Sequence, residues 1–245
     1  MTEAAEAISL HELCERFRRI YMPAVCDAMY HLGIEEQVLP SSLRPLHPEQ
    51  RIVGEAFTLE GRDIVPRVGW DEGIERMRPY LEMFEQLTPD SVLVHTTPEP
   101  ATAGHFGELT GNSAKTRGCQ GVILDGNVRD IEGLRAAGFQ VFYRDLSPLN
   151  GIGRWEMISM QQPVTIGGVT VASGDIVHAE FDGILVVPRE HAVAVLEKAE
   201  QIAGGEGRVR EEQIEGGTPW SSFMKHGYIE RPPRRPRPRR PPLRD

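Results

Sequence analysis

Two short segments of this chain hold side chains whose types and spacing could do chemistry. Arg129 and Asp130 are adjacent, and they follow the apolar run Gly121-Val122-Ile123-Leu124-Asp125 after only Gly126-Asn127-Val128. Arginine offers a planar, permanently charged fork that grips a carboxylate through two parallel hydrogen bonds. Aspartate offers a hard oxygen for Mg²⁺, an ion that keeps several waters when few carboxylates bind it. The plainer reading of the same pair is a helix-capping aspartate beside a surface arginine. The second segment is Gly104-His105-Phe106-Gly107-Glu108-Leu109-Thr110-Gly111. Its glycines let backbone approach a ligand closely, and a helix starting here would aim unpaired N–H groups at an anion. Glu108 falls in the first turn of that helix, where it could order a water, move a proton, or simply answer the helix dipole.

Both segments sit at strand-to-helix junctions, where open α/β sheets place ligand groups. Ser91-Val92-Leu93-Val94-His95 reads as a buried strand, Gly107 to Arg117 as a helix, and Gly121–Asp125 as a second strand. Ile131 to Ala137 is a helix ended by Gly138, and Val141-Phe142-Tyr143 is a third strand, an alternation that predicts parallel pairing. Upstream, Ser9-Leu10-His11-Glu12 is a capping-box pattern before Leu10, Leu13, Phe17 and Ile20 at helical spacing, and Pro23 opens a helix that Gly33 ends. Arg51 to Leu59 reads as a strand, and residues 71–87 as helix that Pro79 should kink or break. Downstream, Gly167-Gly168 and Asp182-Gly183 are the turns of two hairpins. A helix from Glu190 to Ala203 leads into another helical stretch at Arg208 to Ile214.

At 245 residues the chain can bury a proper core. No stretch approaches the roughly 18 apolar residues of a membrane span, and the acidic start Met1-Thr2-Glu3 is no secretory signal. Cys14, Cys26 and Cys119 have neither zinc spacing nor an even disulfide count, which points to a reducing cytoplasm. The net charge of −9 divides unevenly: residues 231–245 hold seven arginines and one aspartate, or +6, leaving −15 on residues 1–230. That acidic body disfavours nucleic acid, apart from contacts the tail could make. The tail, with six prolines, is read as a disordered appendage to a single domain over 1–230. The eight histidines form no compact ligand set, no dinucleotide-binding glycine loop follows a strand, and only Lys115, Lys198 and Lys225 could form a Schiff base. All three lysines lie in polar or helical contexts.

Gly107-Glu108-Leu109, then Arg117-Gly118-Cys119-Gln120-Gly121 through Asp130, resembles the RraA-like family, which includes 4-hydroxy-4-methyl-2-oxoglutarate and 4-carboxy-4-hydroxy-2-oxoadipate aldolases. Val25-Cys26-Asp27-Ala28, Ile52 to Thr58, Gly138 to Phe142, Ser173-Gly174-Asp175 and Asp182 to Pro188 fit the same pattern, so the likeness covers roughly residues 10–229. It implies a β/β/α swivelling-domain fold with N-terminal helices and a C-terminal helical extension, assembled as a homotrimer or a dimer of trimers. It further implies that Asp130 binds Mg²⁺ or Mn²⁺, that Arg129 binds the pyruvyl part of a 2-oxo acid, and that Gly107, Glu108, Leu109 and Thr110 form a carboxylate-binding turn. Glu108 matches an acidic residue beside the metal waters, and Glu206 is a candidate contribution from a neighbouring subunit.

The implied activity is retro-aldol cleavage of a 4-hydroxy-2-oxo acid to pyruvate through an enolate, with oxaloacetate decarboxylation by the same route. The alternative that the resemblance carries is a regulator that binds and inhibits an RNA-degrading endonuclease; such a regulator lacks the acid after the arginine, whereas Asp130 is present here. This chain departs from the family pattern at His95, at Glu180-Phe181-Asp182 and over Gly61 to Leu87, and it adds the Arg/Pro tail.

Overall fold

The computed structural model describes residues 8–34, 37–97 and 101–226; the arginine-rich tail lies outside them. Ser9 caps α1 (Leu10–Arg18), its hydroxyl accepting the Glu12 N–H at 3.2 Å. α2 (Met22–His31) carries Pro23 in its first turn and stops short of Gly33, whose φ of +81° suits glycine. β1 (Arg44–Pro45), the twelve-residue β2 (Ile52–Asp63) and α3 (Trp70–Met83) follow. Then come β3 (Ser91–Thr96), α4 (Glu108–Thr116), β4 (Gly121–Val128), α5 (Ile131–Ala137) and β5 (Val141–Leu146). The remaining strands are β6 (Trp155–Met160), β7 (Val164–Ile166), β8 (Val169–Val171), β9 (Ile176–Glu180) and β10 (Gly183–Val187). α6 (Ala192–Ile214) and α7 (Pro219–His226) close the described chain.

The main sheet has the order β1-β5-β4-β3-β2-β9-β10, with β6 also on β2. β2, β3, β4 and β5 pair in parallel, as the strand–helix alternation predicts. β2 is long enough to serve two partners along one edge: β9 from Ile52 to Glu55, and β6 from Leu59 to Asp63 past a bulge at Glu60/Gly61. Side chains alternate across this sheet. Ala56, Val92, Val94, Ile123 and Phe142 face the separate β7–β8 hairpin, whose Val164, Ile166, Val169 and Val171 complete one core layer. Phe57, Leu59, Leu93, Val122 and Leu124 face the other way, against Met77, Tyr80 and Met83 of α3 and Leu134 of α5. Farther along the sheet, Val53, Ile176, Leu185 and Val187 pack on α1, α2 and α6. Hairpin, sheet and helices stack in that order, the β/β/α arrangement the sequence implied, with helices at both ends of the chain.

Four local features differ from expectation. α3 runs through Pro79 without ending. Burial of Met77, Tyr80 and Met83 on one side of it, with the Tyr80 hydroxyl donating to the His105 carbonyl at 2.9 Å, outweighs the proline's lost hydrogen bond. α6 is one helix of 23 residues rather than two stretches, because its buried side (Val195, Leu196, Ala199, Ile202, Gly205, Val209) continues across Gly204-Gly205. β6, between the Val141 strand and the Gly167-Gly168 hairpin, and α7 were not foreseen.

Candidate active site

The sheet brings the two chemical segments side by side through backbone hydrogen bonds. Where β4 ends, residues 105–107 run alongside it: the His105 N–H reaches the Asn127 carbonyl at 2.8 Å, and the Arg129 N–H reaches the Phe106 carbonyl at 2.9 Å. Phe106 and Val128 form an isolated parallel bridge. Gly107 is thereby laid against Arg129 and Asp130. A Cβ on Gly107 would stand 2.6 Å from Asp130 Oδ2, and one on Gly104 would stand 3.0 Å from the Arg129 Cβ. Two glycines open the space that the acidic and basic side chains occupy.

Asp130 stands at the N-cap position of α5 but is not a capping aspartate. Its backbone is left-handed (φ 56°, ψ 41°), and its side chain makes no cap hydrogen bond. A left-handed turn costs an ordinary L-residue about 1–2 kcal/mol, less for Asp and Asn. The conformation turns the carboxylate toward Arg129, whose Nε donates to Oδ2 at 3.1 Å. Both side chains are about one-third exposed, at 34% and 37%. Among the described residues, the two terminal nitrogens of Arg129 make no hydrogen bond, so its fork remains open to a ligand.

The N-terminus of α4 supplies a second anion-binding element. Gly107 gives its N–H to the Thr110 hydroxyl at 3.1 Å, and the hydroxyl donates back to the Gly107 carbonyl at 2.9 Å. The first intrahelical bond runs from the Gly111 N–H to Gly107, leaving the N–H groups of Glu108, Leu109 and Thr110 without a helical partner. Thr110 thus fixes the turn that aims them.

Around these groups lies a cleft of about 210 Å³. Gly107, Leu109, Thr110, Arg129 and Asp130 all line it, so five of the six sequence-nominated residues share one space. Glu108 does not line it. Its carboxylate is folded over α5, where a Cβ on Gly133 would come within 2.3 Å of Oε2. Glu206, on α6, is also outside the lining; burial nudges its carboxyl upward, partly countered by Arg210.

The rest of the lining was not nominated from sequence. Met77, Tyr80 and Leu81 of α3 and Asn150, Gly151 and Ile152 of the loop before β6 form it. Only the helical period of α3 signalled that Met77, Tyr80 and Leu81 could approach a common neighbour. Behind the cleft sits a buried aromatic cluster. Trp155 packs edge-on to Tyr80 at 5.0 Å between ring centres and lies 5.1 and 5.5 Å from His95 and His105. The indole N–H donates to the Thr97 hydroxyl at 3.0 Å. His105 Nδ1 accepts the Asn127 N–H at 3.2 Å, which places the ring proton of neutral His105 on Nε2. Burial, reinforced by Arg144, pushes His105 down to about 4, and burial together with His105 holds His95 well below the usual histidine range. Both rings are therefore neutral at pH 7, and His95, fully buried, contributes to the core.

Among the described residues, no three His, Cys, Asp or Glu groups converge to cage a metal. Among the described residues that line the cleft, Asp130 is the one carboxylate, beside the gap at Gly107. That donor set fits Mg²⁺ or Mn²⁺ held by one carboxylate, waters and substrate oxygens, and it does not fit a zinc cage. Lys115 and Lys225 are engaged elsewhere, with the Ala137 carbonyl and with Glu212, and no lysine lines the cleft.

The chain belongs to the RraA-like family: the family model described as Aldolase/RraA matches residues 22–186, two-thirds of its length. A putative 4-hydroxy-4-methyl-2-oxoglutarate aldolase of Halalkalibacterium halodurans is 28% identical over 76% of this chain and 81% of its own. Protein DlpA of Legionella pneumophila is 26% identical over 87% of this chain, which spans only a third of DlpA. Among solved structures, one described as belonging to novel cellulases from microbes of the gut ecosystem superposes with a TM-score of 0.76 at 31% identity, over 84% of this chain and 90% of the other. Streptomyces coelicolor RraAS2, described as an unusual member of the RNase ES inhibitor RraA family, superposes with a TM-score of 0.68 at 23% identity, over 89% and 100% of the two chains. No helix among the described residues is long and apolar enough to cross a membrane.

Proposed function

We propose that this cleft cleaves a 4-hydroxy-2-oxo acid to pyruvate and an aldehyde or ketone, as a divalent-metal-dependent aldolase working in a trimer or dimer of trimers. The observation that carries the reading is the left-handed Asp130, which leaves helix capping to hold its carboxylate beside Arg129 and the open N-terminus of α4. The substrate's C1 carboxylate sits between the Arg129 fork and the N–H groups of Glu108, Leu109 and Thr110. Asp130 holds Mg²⁺ or Mn²⁺, which when bound supplies Lewis-acid polarisation of the C2 carbonyl. Arg129 adds positive charge beside the oxygen on which the enolate's charge develops. Glu108, swung off Gly133 toward the cleft mouth, takes up the C4 hydroxyl proton through an ordered water. Loss of CO₂ from oxaloacetate leaves the same enolate, so the same groups serve that decarboxylation.

A glycosidase needs two carboxyl groups facing each other across its cleft. Among the described residues Asp130 is the one acid in the lining, which argues against extending the cellulase description to this chain. The aldolase reading is tested by following pyruvate release from 4-hydroxy-2-oxo acids with Mg²⁺ and with chelator. Asp130→Ala should lose metal affinity and on the order of a thousandfold in kcat. Arg129→Lys should keep metal affinity yet lose kcat/KM, because the ammonium cannot reproduce the fork. Full turnover by Asp130→Ala in chelator would sink the assignment.

A further inference from the structure

We infer that His105 is a positioning residue of this site: its imidazole Nδ1, by accepting the Asn127 N–H, fixes the N-terminus of α4 against Arg129 and Asp130. The inference rests on the aldolase reading for the reaction served, and it names a residue which that reading does not use.

The need for such a residue follows from where the strands stop. β3 pairs with β4 only as far as Thr96 and Asp125, and the Thr97 N–H then reaches the Asp125 carbonyl at 3.1 Å. On the other edge, the register of β4 against β5 slips between Leu124 and Asn127. The segment that carries Arg129 and Asp130 thus leaves the sheet with one neighbour ended and the other irregular. Residues 105 and 106 take over the edge that β3 gives up. Three hydrogen bonds make this seam: the His105 N–H to the Asn127 carbonyl at 2.8 Å, the Asn127 N–H to His105 Nδ1 at 3.2 Å, and the Arg129 N–H to the Phe106 carbonyl at 2.9 Å. A regular strand partner would meet the Asn127 N–H with a backbone carbonyl. Here a side chain does so, and it is the one bond of the three that a side-chain substitution can remove.

Two further observations single out the ring. Gly126 leaves room for it, since a Cβ there would stand 2.8 Å from Nδ1. Among the described residues, Nε2 has no hydrogen-bond partner, although His105 is only 4% exposed. Burying a donor without an acceptor is unfavourable, so a residue that merely filled the space beside Trp155 and His95 would be hydrocarbon. What the imidazole adds is the Nδ1 acceptor. The His105 carbonyl is held as well, by the Tyr80 hydroxyl at 2.9 Å, so the residue is tied both to α3 and to β4. His105, Tyr80 and Asn127 are all buried within a single protomer, so the seam does not depend on assembly.

The test compares His105→Asn with His105→Gln. Asparagine puts an amide oxygen at the place of Nδ1 and leaves the rest of the ring's space empty. Glutamine fills more of that space but carries its amide one carbon farther, at the reach of Nε2. An acceptor role and a space-filling role therefore predict opposite orders. The kcat/KM for pyruvate release should fall on the order of a hundredfold in His105→Gln, the effect of misplacing reacting groups by roughly 1 Å. His105→Asn should stay within about tenfold of wild type, the worth of one weakened hydrogen bond. Calorimetry in Mg²⁺ buffer with oxalate, a planar dianion that resembles the pyruvate enolate, should rank the proteins in the same order. Urea midpoints show that each variant is folded; if His105→Gln is not, His105→Leu, which keeps the branch at Cγ without an acceptor, takes its place. Equal losses in the two variants, a more active His105→Gln, or wild-type values in both would overturn the inference while pyruvate release upholds the aldolase reading. The expected order in oxalate binding, with no pyruvate from any of the proteins, would uphold the role of His105 and overturn that reading. Neither pyruvate release nor oxalate binding by the wild type would overturn both.

Discussion

Gly107→Ala isolates how much of catalysis depends on the gap beside Asp130. Gly107 has φ −156°, extended backbone that alanine adopts without strain, so the substitution adds a methyl group and nothing else. That methyl would stand 2.6 Å from Asp130 Oδ2, 0.8 Å inside an ordinary 3.4 Å contact, and 3.1 Å from Arg129 Cγ. The Asp130 backbone cannot retreat easily, because its carbonyl accepts the Leu134 N–H at 3.0 Å from within α5. The carboxylate must swing instead, and with its side chain 37% exposed it has somewhere to go. The stability cost should therefore be about 1 kcal/mol, the low end for overpacking. The catalytic cost should be larger, since misplacing a reacting group by roughly 1 Å lowers rates on the order of a hundredfold. A urea midpoint, Mg²⁺ calorimetry and kcat/KM for pyruvate release on one preparation measure all three quantities. Wild-type turnover with unchanged Mg²⁺ affinity would refute the claim that Asp130 works from this position.

Two further outcomes are expected. Asp130→Gly should abolish turnover yet leave stability within about 1 kcal/mol of wild type in urea, because glycine relieves the left-handed backbone while adding chain entropy to the unfolded state; a loss of several kcal/mol would show that Asp130 is mainly structural. Acid should destabilise the fold through histidines buried neutral. Burial pushes His105 down to about 4, with help from Arg144, and burial with Arg51 and Arg18 pushes His178 down to about 3. Below the unfolded value near 6.5 the unfolded chain binds protons that the folded chain refuses, so stability falls as pH drops from 6.5 toward 4, by about 2 kcal/mol per histidine at pH 5. Urea midpoints at pH 7.5 and 5.0 measure this, and equal midpoints would refute it.

Much of the scaffold was legible because it obeys simple periods. β3, β4, α5 and the two hairpins carry apolar runs bounded by turn residues, and Gly33, Gly138, Gly167 and Gly168 all take the positive φ that their positions suggested. β6 was not legible for a physical reason. Only Trp155 in it is fully buried, its other residues are partly exposed, and its pairing to β2 depends on a bulge that no local pattern announces. α3 and α6 show the reverse case: local breakers, Pro79 and Gly204-Gly205, are overruled by faces that pack on the sheet and on α2.

The polar and apolar linings of the cleft differ in legibility for the same kind of reason. Arg129, Asp130 and the glycines could be nominated because charge and conformational freedom are expensive in a core and so draw notice wherever they occur at strand ends. Their juxtaposition still required the sheet, since residues 105 and 127 meet only because the loop before α4 hydrogen-bonds along the end of β4. Met77, Leu81 and Ile152 are the residue types that fill any core, and Met77 is itself buried. Nothing in their chemistry separates lining a cleft from packing beneath one; only the docking of α3 over His105 and the approach of Gly151 do. A charged centre can thus be found by residue type, whereas the apolar lining beside it becomes visible only in three dimensions.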